Sequence, residues 1–385
     1  MKKKRIPRLV LTGGPCGGKS TALAILSQKL PEYGITPIMV PEVPTLVFSS
    51  GVKVQDMVAN WTRNLAFQKQ LIVTQLAIEK NWEEFARMQL GDQKVLICDR
   101  GAMDGAAYMD KSAFEKMVED MGMRIVDLRD GRYDAVFHLV TAANGAEKFY
   151  TLGNNTARHE TPEQARVLDG KTANAWNGHD HFKIFPNYTL NHQMEQIPID
   201  FETKMGRLLH EVCATLRIPA PIEVERKFLI PLDTDPATFP VLSVVVEIVQ
   251  TYLRTAKAGV EKRIRKRTQN NASIYTYTEK QKVGHGARLE KEQIISDREY
   301  ARLYTERDRS RKDVKKLRYS FIWENQYFQL DRIDSPAPLA LLEAEVTDIQ
   351  QKLLMPPFIK VSKEVTDDSL YNNSSIAAGL CPGYR

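Results

Sequence analysis

The sequence has 385 residues, 43% of them hydrophobic and 26% charged, which is the composition of a globular chain with room for about two domains. No apolar run approaches the ~18–20 residues of a membrane-spanning helix. The net charge of +6, without a polybasic tail, gives no ground for a nucleic-acid partner.

The basic opening MKKKRIP leads straight into a strand rather than a signal-peptide core. Cys16, Cys98, Cys213 and Cys381 are scattered without metal-ligand spacing. A cytoplasmic protein with reduced thiols is therefore expected.

From the N-terminus, short apolar runs alternate with helical stretches. Strands are expected at Arg8–Thr12, Thr36–Val40, Lys94–Asp99 and Ala135–Thr141, and helices at Ser20–Leu30, Trp61–Leu90 and Ile197–Leu216. This order predicts an α/β domain over residues 1–217, with a parallel sheet covered by helices on both faces. The polar stretch 154–187 shows no strong periodicity and reads as a lid or an unstructured loop. Its Arg158 and Arg166 either close on a nucleotide or are simply solvated. His179 and His181 have no third partner in sight, so no metal site is assigned to them.

Residues 13–20 fit G-x-x-x-x-G-K-[ST], between an apolar strand and a helix. Gly13, Gly14 and Gly18 let backbone N–H groups turn toward phosphate oxygens at a helix N-terminus. Lys19 is expected to reach the terminal phosphates and Ser20, followed by Thr21, to hold magnesium. Asp99 ends the buried run Val95–Asp99 as the second acidic element of such a site, with Arg100 available to balance phosphate charge. Glu42, after the second strand, is either an acceptor-facing acid or a solvated loop residue. These features predict Mg²⁺ with ATP or GTP. No N-K-x-D-like guanine reader chooses between the bases.

After the linker 218–221 the pattern becomes strand upon strand. Eight are expected, at 222–230, 243–255, 260–268, 273–282, 287–295, 314–323, 325–333 and 339–347, with one helical segment at Asp297–Asp308. An eight-stranded antiparallel barrel over 222–385 follows. Side chains alternate along a strand, so charges two apart share a face. That spacing recurs in Glu223/Glu225/Lys227, Arg263/Arg265, Lys280/Lys282, Glu290/Glu292, Lys316/Arg318 and Glu343/Glu345, with Asp331 on another strand. Carboxylates on one wall would hold Mg²⁺ or Mn²⁺, and cations on the others would hold a linear polyphosphate. Glu223, Glu225, Lys227 and Asp99 are the catalytic candidates.

Two resemblances rest on these residues. GGPCGGKST, PEVPT and ICDRGAMDGAAY resemble the P-loop kinase-like domain related to nicotinamide riboside kinases. Glu223-Val-Glu225-Arg-Lys227, followed by Arg-Ile-Arg, Arg-Leu-Glu-Lys-Glu, Lys-Leu-Arg, Leu-Asp and Glu-Ala-Glu segments, resembles the CYTH or triphosphate tunnel family. Members of that family cleave tripolyphosphate, make cyclic AMP or hydrolyse thiamine triphosphate. The two domains in tandem resemble the TRPL translocation defect family. That resemblance implies GTP binding, phosphoinositide recognition, peripheral membrane contact and a role in membrane-protein trafficking. Three readings follow: a phosphohydrolase, a small-molecule kinase, and a non-catalytic adaptor binding nucleotide and phosphoinositide.

Overall fold

The computed structural model describes residues 5–91, 93–150, 160–191, 193–218, 225–256, 259–282, 288–346 and 352–381; the side chains of 281–291 and 345 lie outside that description. Contacts divide the chain into two units, 1–189 with 196–212, and 190–195 with 213–385.

The first unit is built on five parallel strands: β1 (Arg8–Thr12), β2 (Ile35–Val40), β3 (Gln93–Asp99), β4 (Ala135–Leu139) and β5 (Phe182–Phe185), in the order β2-β3-β1-β4-β5. β1 and β4 are buried throughout, which is why they read as unbroken apolar runs rather than alternating ones. Around the sheet run α1 (Lys19–Lys29), α2 (Val43–Ser49), α3 (Val54–Met57), α4 (Trp61–Met88), α5 (Lys111–Asp120), α6 (Ile125–Arg129), α7 (Pro162–Ala175) and α8 (Phe201–Leu216). A two-stranded ribbon, β6 (Tyr188–Leu190) with β7 (Gln196–Pro198), precedes α8.

Two sequence expectations change here. The helix expected from Ile197 begins at Phe201, because Ile197 and Pro198 are extended in β7 and the Asp200 carboxylate accepts from the Thr203 N–H at 2.6 Å. The expected lid at 154–187 is, over its described part, mostly regular structure. Thr161 and Gln164 form a reciprocal capping box with Pro162 at the first helical position, starting the 14-residue α7, and β5 follows. That capping signal is present in the sequence; the polar surface of α7 masked it.

The second unit is a single antiparallel sheet: β8 (Glu225–Leu229), β9 (Val244–Leu253), β10 (Val260–Gln269), β11 (Ala272–Lys282), β12 (Arg288–Ile295), β13 (Val314–Trp323), β14 (Gln326–Ser335), β15 (Leu339–Glu345) and β16 (Lys363–Glu364). Eight of these are the strands expected, and the two-residue β16 is a ninth. The order is β12-β11-β10-β9-β13-β14-β15-β8-β16. Among the described residues the end strands do not pair, so the pairing describes an open nine-stranded sheet where a closed eight-stranded barrel was expected. α9 (Asp297–Tyr304) is capped by Ser296, and α10 (Asn373–Ala377) is short. One face of β8, β13, β14 and β15 carries Phe228, Phe321, Leu330, Leu342 and Ala344, packed with Leu353 and Ile359 into an apolar core. The other face carries the charges.

Candidate functional sites

In the first unit the loop rises from β1 beside β3, with Leu11 opposite Asp99 in the register. Gly18 caps α1 at φ +92°, and a Cβ there would lie 2.6 Å from the Phe201 ring. A Cβ on Gly14 would lie 2.6 Å from Asp169 Oδ1, the atom that accepts the Gly14 N–H at 2.6 Å. Lys19 Nζ donates to the carbonyls of Gly13 and Gly14 at 3.1 and 3.2 Å. Burial, and then the nearby Arg100, lower its pKa to about 8. Ser20 and Thr21 are exposed at the start of α1.

Asp99 Oδ1 is buried and accepts no hydrogen bond. Burial, and then Glu42, raise its carboxyl to about 6. A buried carboxylate oxygen with no donor fits a divalent cation, and Asp99 is the residue that would hold it.

Arg100 is engaged by acidic side chains. Its guanidinium pairs with Glu42 at 2.6 Å and Asp104 at 3.0 Å, and its backbone sits at φ +69°. Glu42 also accepts from Thr45 at 2.6 Å; burial opposes its ionisation, but Arg100, Thr45 and Lys19 together outweigh burial and hold its carboxyl low. Asp104, missed in the sequence, is buried and accepts from Thr12 Oγ1 (2.5 Å), the Gly101 N–H (2.9 Å) and Trp176 Nε1 (3.1 Å).

Asp169 was missed as well. Its Oδ1 accepts from Gly14 and Thr141 N–H groups and lies 3.2 Å from His138 Nε2. No local pattern marks either aspartate, since Thr12 and Trp176 for Asp104, and Gly14, Thr141 and His138 for Asp169, are distant in the chain.

Other sequence candidates are structural. Arg166 donates to the Ala143 carbonyl at 2.6 Å and to Glu163 at 2.8 Å. His179 is buried, with Nε2 3.2 Å from the Tyr133 carbonyl and Nδ1 accepting from the His181 N–H. None of the four cysteines is in a disulfide, and burial pushes the Cys98 thiol well up, which makes that thiol a poor nucleophile. Arg158 and Glu223 lie outside the described residues, as do the side chains of Lys282, Glu290 and Glu345.

In the second unit the register carries the case. Glu225 is opposite Glu345, Lys227 opposite Glu343, Glu343 opposite Gln329, and Asp331 opposite Arg318. Arg318 and Lys316 oppose Val246 and Ile248, which continue through Arg267, Arg265 and Arg263 to Thr278, Lys280, Glu290 and Glu292. Glu225, Lys227, Arg263, Arg265, Lys280, Glu292, Lys316, Arg318, Asp331 and Glu343 therefore fall on one face. The middle of that face is buried: Asp331 is 1% exposed, Lys316 5%, Lys227 6%, and Arg318 and Glu343 7% each.

The charges interlock instead of standing apart by sign. Carboxylates concentrate on β8, β14 and β15 and cations on β10 and β13, as expected, but the side chains reach across. Arg318 clamps Asp331 at 2.6 and 2.7 Å, Glu343 at 2.7 Å and Gln329 at 2.6 Å, while Lys316 also pairs with Asp331. Lys227 Nζ lies 2.9 Å from Glu225 and 3.6 Å from Glu343. Arg265 reaches Glu292 at 3.2 Å, and Thr278 donates to the same carboxylate at 2.8 Å. The Lys227 ammonium thus sits between the Glu225 and Glu343 carboxylates.

Burial opposes ionisation of Asp331, but Arg318 and Lys316 outweigh it and depress its pKa to about 2. An unfolded aspartate titrates near ~3.9. The ionised pair network therefore contributes stability above about pH 4, and this is lost as pH falls from about 4 to about 2. Unfolding free energies from urea titrations at pH 5 and pH 2.5 should differ by about 2 kcal/mol more in the native protein than in Asp331→Asn.

With this geometry in hand, the comparisons are informative. The family model described as "AAA domain" matches residues 8–187. The first unit is thus similar to an AAA domain over most of its length. Among solved structures, the inorganic triphosphatase NE1496 is 31% identical, over 41% of this chain and 95% of that chain, at TM-score 0.30. The PH1819 protein from Pyrococcus horikoshii OT3 is 20% identical, over 33% of this chain and 80% of that one, at TM-score 0.27. No curated protein matches. The AAA match spans the phosphate loop, Asp99, Asp104 and Asp169. No described helix is long and apolar enough to cross a membrane.

Proposed function

We propose that this chain binds a magnesium nucleoside triphosphate on the loop of its first unit and hydrolyses a linear triphosphate on the charged face of its second unit. The observation that carries the second half is the single buried face on which Lys227, Arg265, Lys316, Arg318, Asp331 and Glu343 interlock. Burying this many ionised groups is costly without satisfying partners, and a packed apolar face would be at least as stable. A polyphosphate and a divalent cation are ligands whose charges match such a lining. The 31% identity to an inorganic triphosphatase supports the same reading.

On this face Glu225 and Glu343 would hold the cation. Lys316, Arg318 and Arg265 would orient phosphate oxygens, and the cation would polarise the phosphorus under attack. A kinase reading is weaker, because the Glu42 carboxylate is already held by Arg100 and Thr45.

Purified protein with Mg²⁺ or Mn²⁺ should release phosphate from tripolyphosphate. Glu225→Ala, whose side chain is 43% exposed and not part of the Arg318–Asp331 clamp, should cut that release at least about 100-fold, a loss of ~2.7 kcal/mol of transition-state stabilisation. Lys19→Ala should leave it unchanged. Loss of release in Lys19→Ala alone would place the activity in the first unit and sink the proposal.

A further inference from the structure

Beneath the phosphate loop lies a second buried lysine. Lys204, on α8, is 2% exposed. Its ammonium donates to the carbonyls of Val140 (2.8 Å) and Gly17 (3.4 Å) and to Asn187 Oδ1 (2.7 Å). All three partners are neutral oxygens, so a buried cation has no carboxylate within hydrogen-bond reach among the described residues. Asn187 is itself fixed, donating to the carbonyls of Thr141 and Asn144 at 2.8 Å each. The lysine is thus held in place by the strand end and the loop, not by an ion pair.

The Gly17 carbonyl and the Gly18 N–H belong to one peptide group. A cation donating to that oxygen polarises the group and makes the N–H a stronger donor on the other side, the side that faces phosphate at the start of α1. The charged groups around Lys204 are Lys19 on the loop and Asp169 on α7, which has His138 of β4 against it.

We propose that Lys204 is a positioning residue of the nucleotide site, which it serves from behind the loop, and that its protonation is coupled to occupation of the loop by a polyphosphate. This rests on the loop being a nucleotide site. Burial, with Lys19 adding repulsion, lowers the Lys204 pKa to about 7, so near neutrality the ammonium is only partly formed. A polyanion on the loop cancels the repulsion of Lys19 and favours the charged form, raising the pKa. Binding therefore takes up a proton when the pH lies at or above the free value, and affinity weakens as pH rises through 7.

The test is isothermal titration of the full chain with Mg·ATP and Mg·GTP, in two buffers of different ionisation enthalpy, from pH 6 to 9. The native protein should show proton uptake already developing at pH 7. Lys204→Met should bind about 3- to 10-fold more weakly at pH 6.5, take up about half a proton less at pH 7.5, and converge on the native affinity at pH 9. Equal affinity and equal uptake in the two proteins would overturn the proposal. So would uptake in the native protein that begins only near pH 8, a measurement that does not depend on the variant folding. Failure of both nucleotides to bind the native protein would instead remove the loop reading on which the proposal stands.

Discussion

Replacing Lys19 with alanine should weaken Mg·ATP or Mg·GTP binding by about 10- to 150-fold, the ~1.5–3 kcal/mol of a hydrogen bond to a charged partner. The side chain is poised for this. Its ammonium now donates to the Gly13 and Gly14 carbonyls, and it lies among Asp99, Glu42 and Asp104, which favour its charged form against burial and Arg100. A terminal phosphate offers better acceptors than two peptide carbonyls, so the ammonium gains by moving onto it.

A pH signature accompanies the loss. With the folded pKa lowered to about 8, the lysine is charged below that value and neutral above it, so native affinity should fall between pH 7.5 and 9.5. In Lys19→Ala that part of the slope should vanish. Titration calorimetry measures both. Equal affinity for the two proteins at pH 7 would mean that the loop is not a phosphate site.

Asp331→Ala should destabilise the second unit by about 3–5 kcal/mol, the cost of leaving a buried charge without its partner. Lys316 and both edges of the Arg318 guanidinium converge on this carboxylate, which is 1% exposed. Removing it takes from both buried cations the carboxylate they share, Arg318 keeping its bonds to Glu343 and Gln329. Replacing the group as a whole, with Lys316→Met, Arg318→Met and Asp331→Leu together, should recover much of that loss, because an apolar trio of similar volume carries no desolvation cost. The same triple variant should be inactive on tripolyphosphate. Urea unfolding and phosphate release read the two effects separately. An Asp331→Ala chain as stable as the native one would show that the clamp is solvated and that the buried-face argument fails.

How much of this was legible beforehand depends on the range of the interactions involved. Strand, glycine turn and helix N-terminus are consecutive in the chain, so the phosphate loop with Lys19 and Ser20 could be read directly. The period-two charges from Glu225 to Glu343 were legible for the same reason, since alternation is a property of a strand by itself. Eight strands were placed to within a few residues, and their shared face followed.

The partners were not legible. Asp104, Asp169 and Lys204 meet residues 12, 14 and 17 of the loop across 92, 155 and 187 positions of chain, distances that no local pattern spans. Arg100 could be seen to follow Asp99, but not that Glu42 and Asp104 would hold its guanidinium. The charged face could be seen to exist, but not that Arg318 would knit Asp331 to Glu343.

The sequence by itself determined where backbone geometry and side-chain alternation are set by near neighbours: the loop, the strands and the face each side chain takes. Strand order and register, which bring distant segments together, decided which charges are buried, which are paired, and which pKa values move. The phosphate loop is therefore a sequence feature, whereas the aspartate and lysine that grip it from behind belong to the tertiary structure.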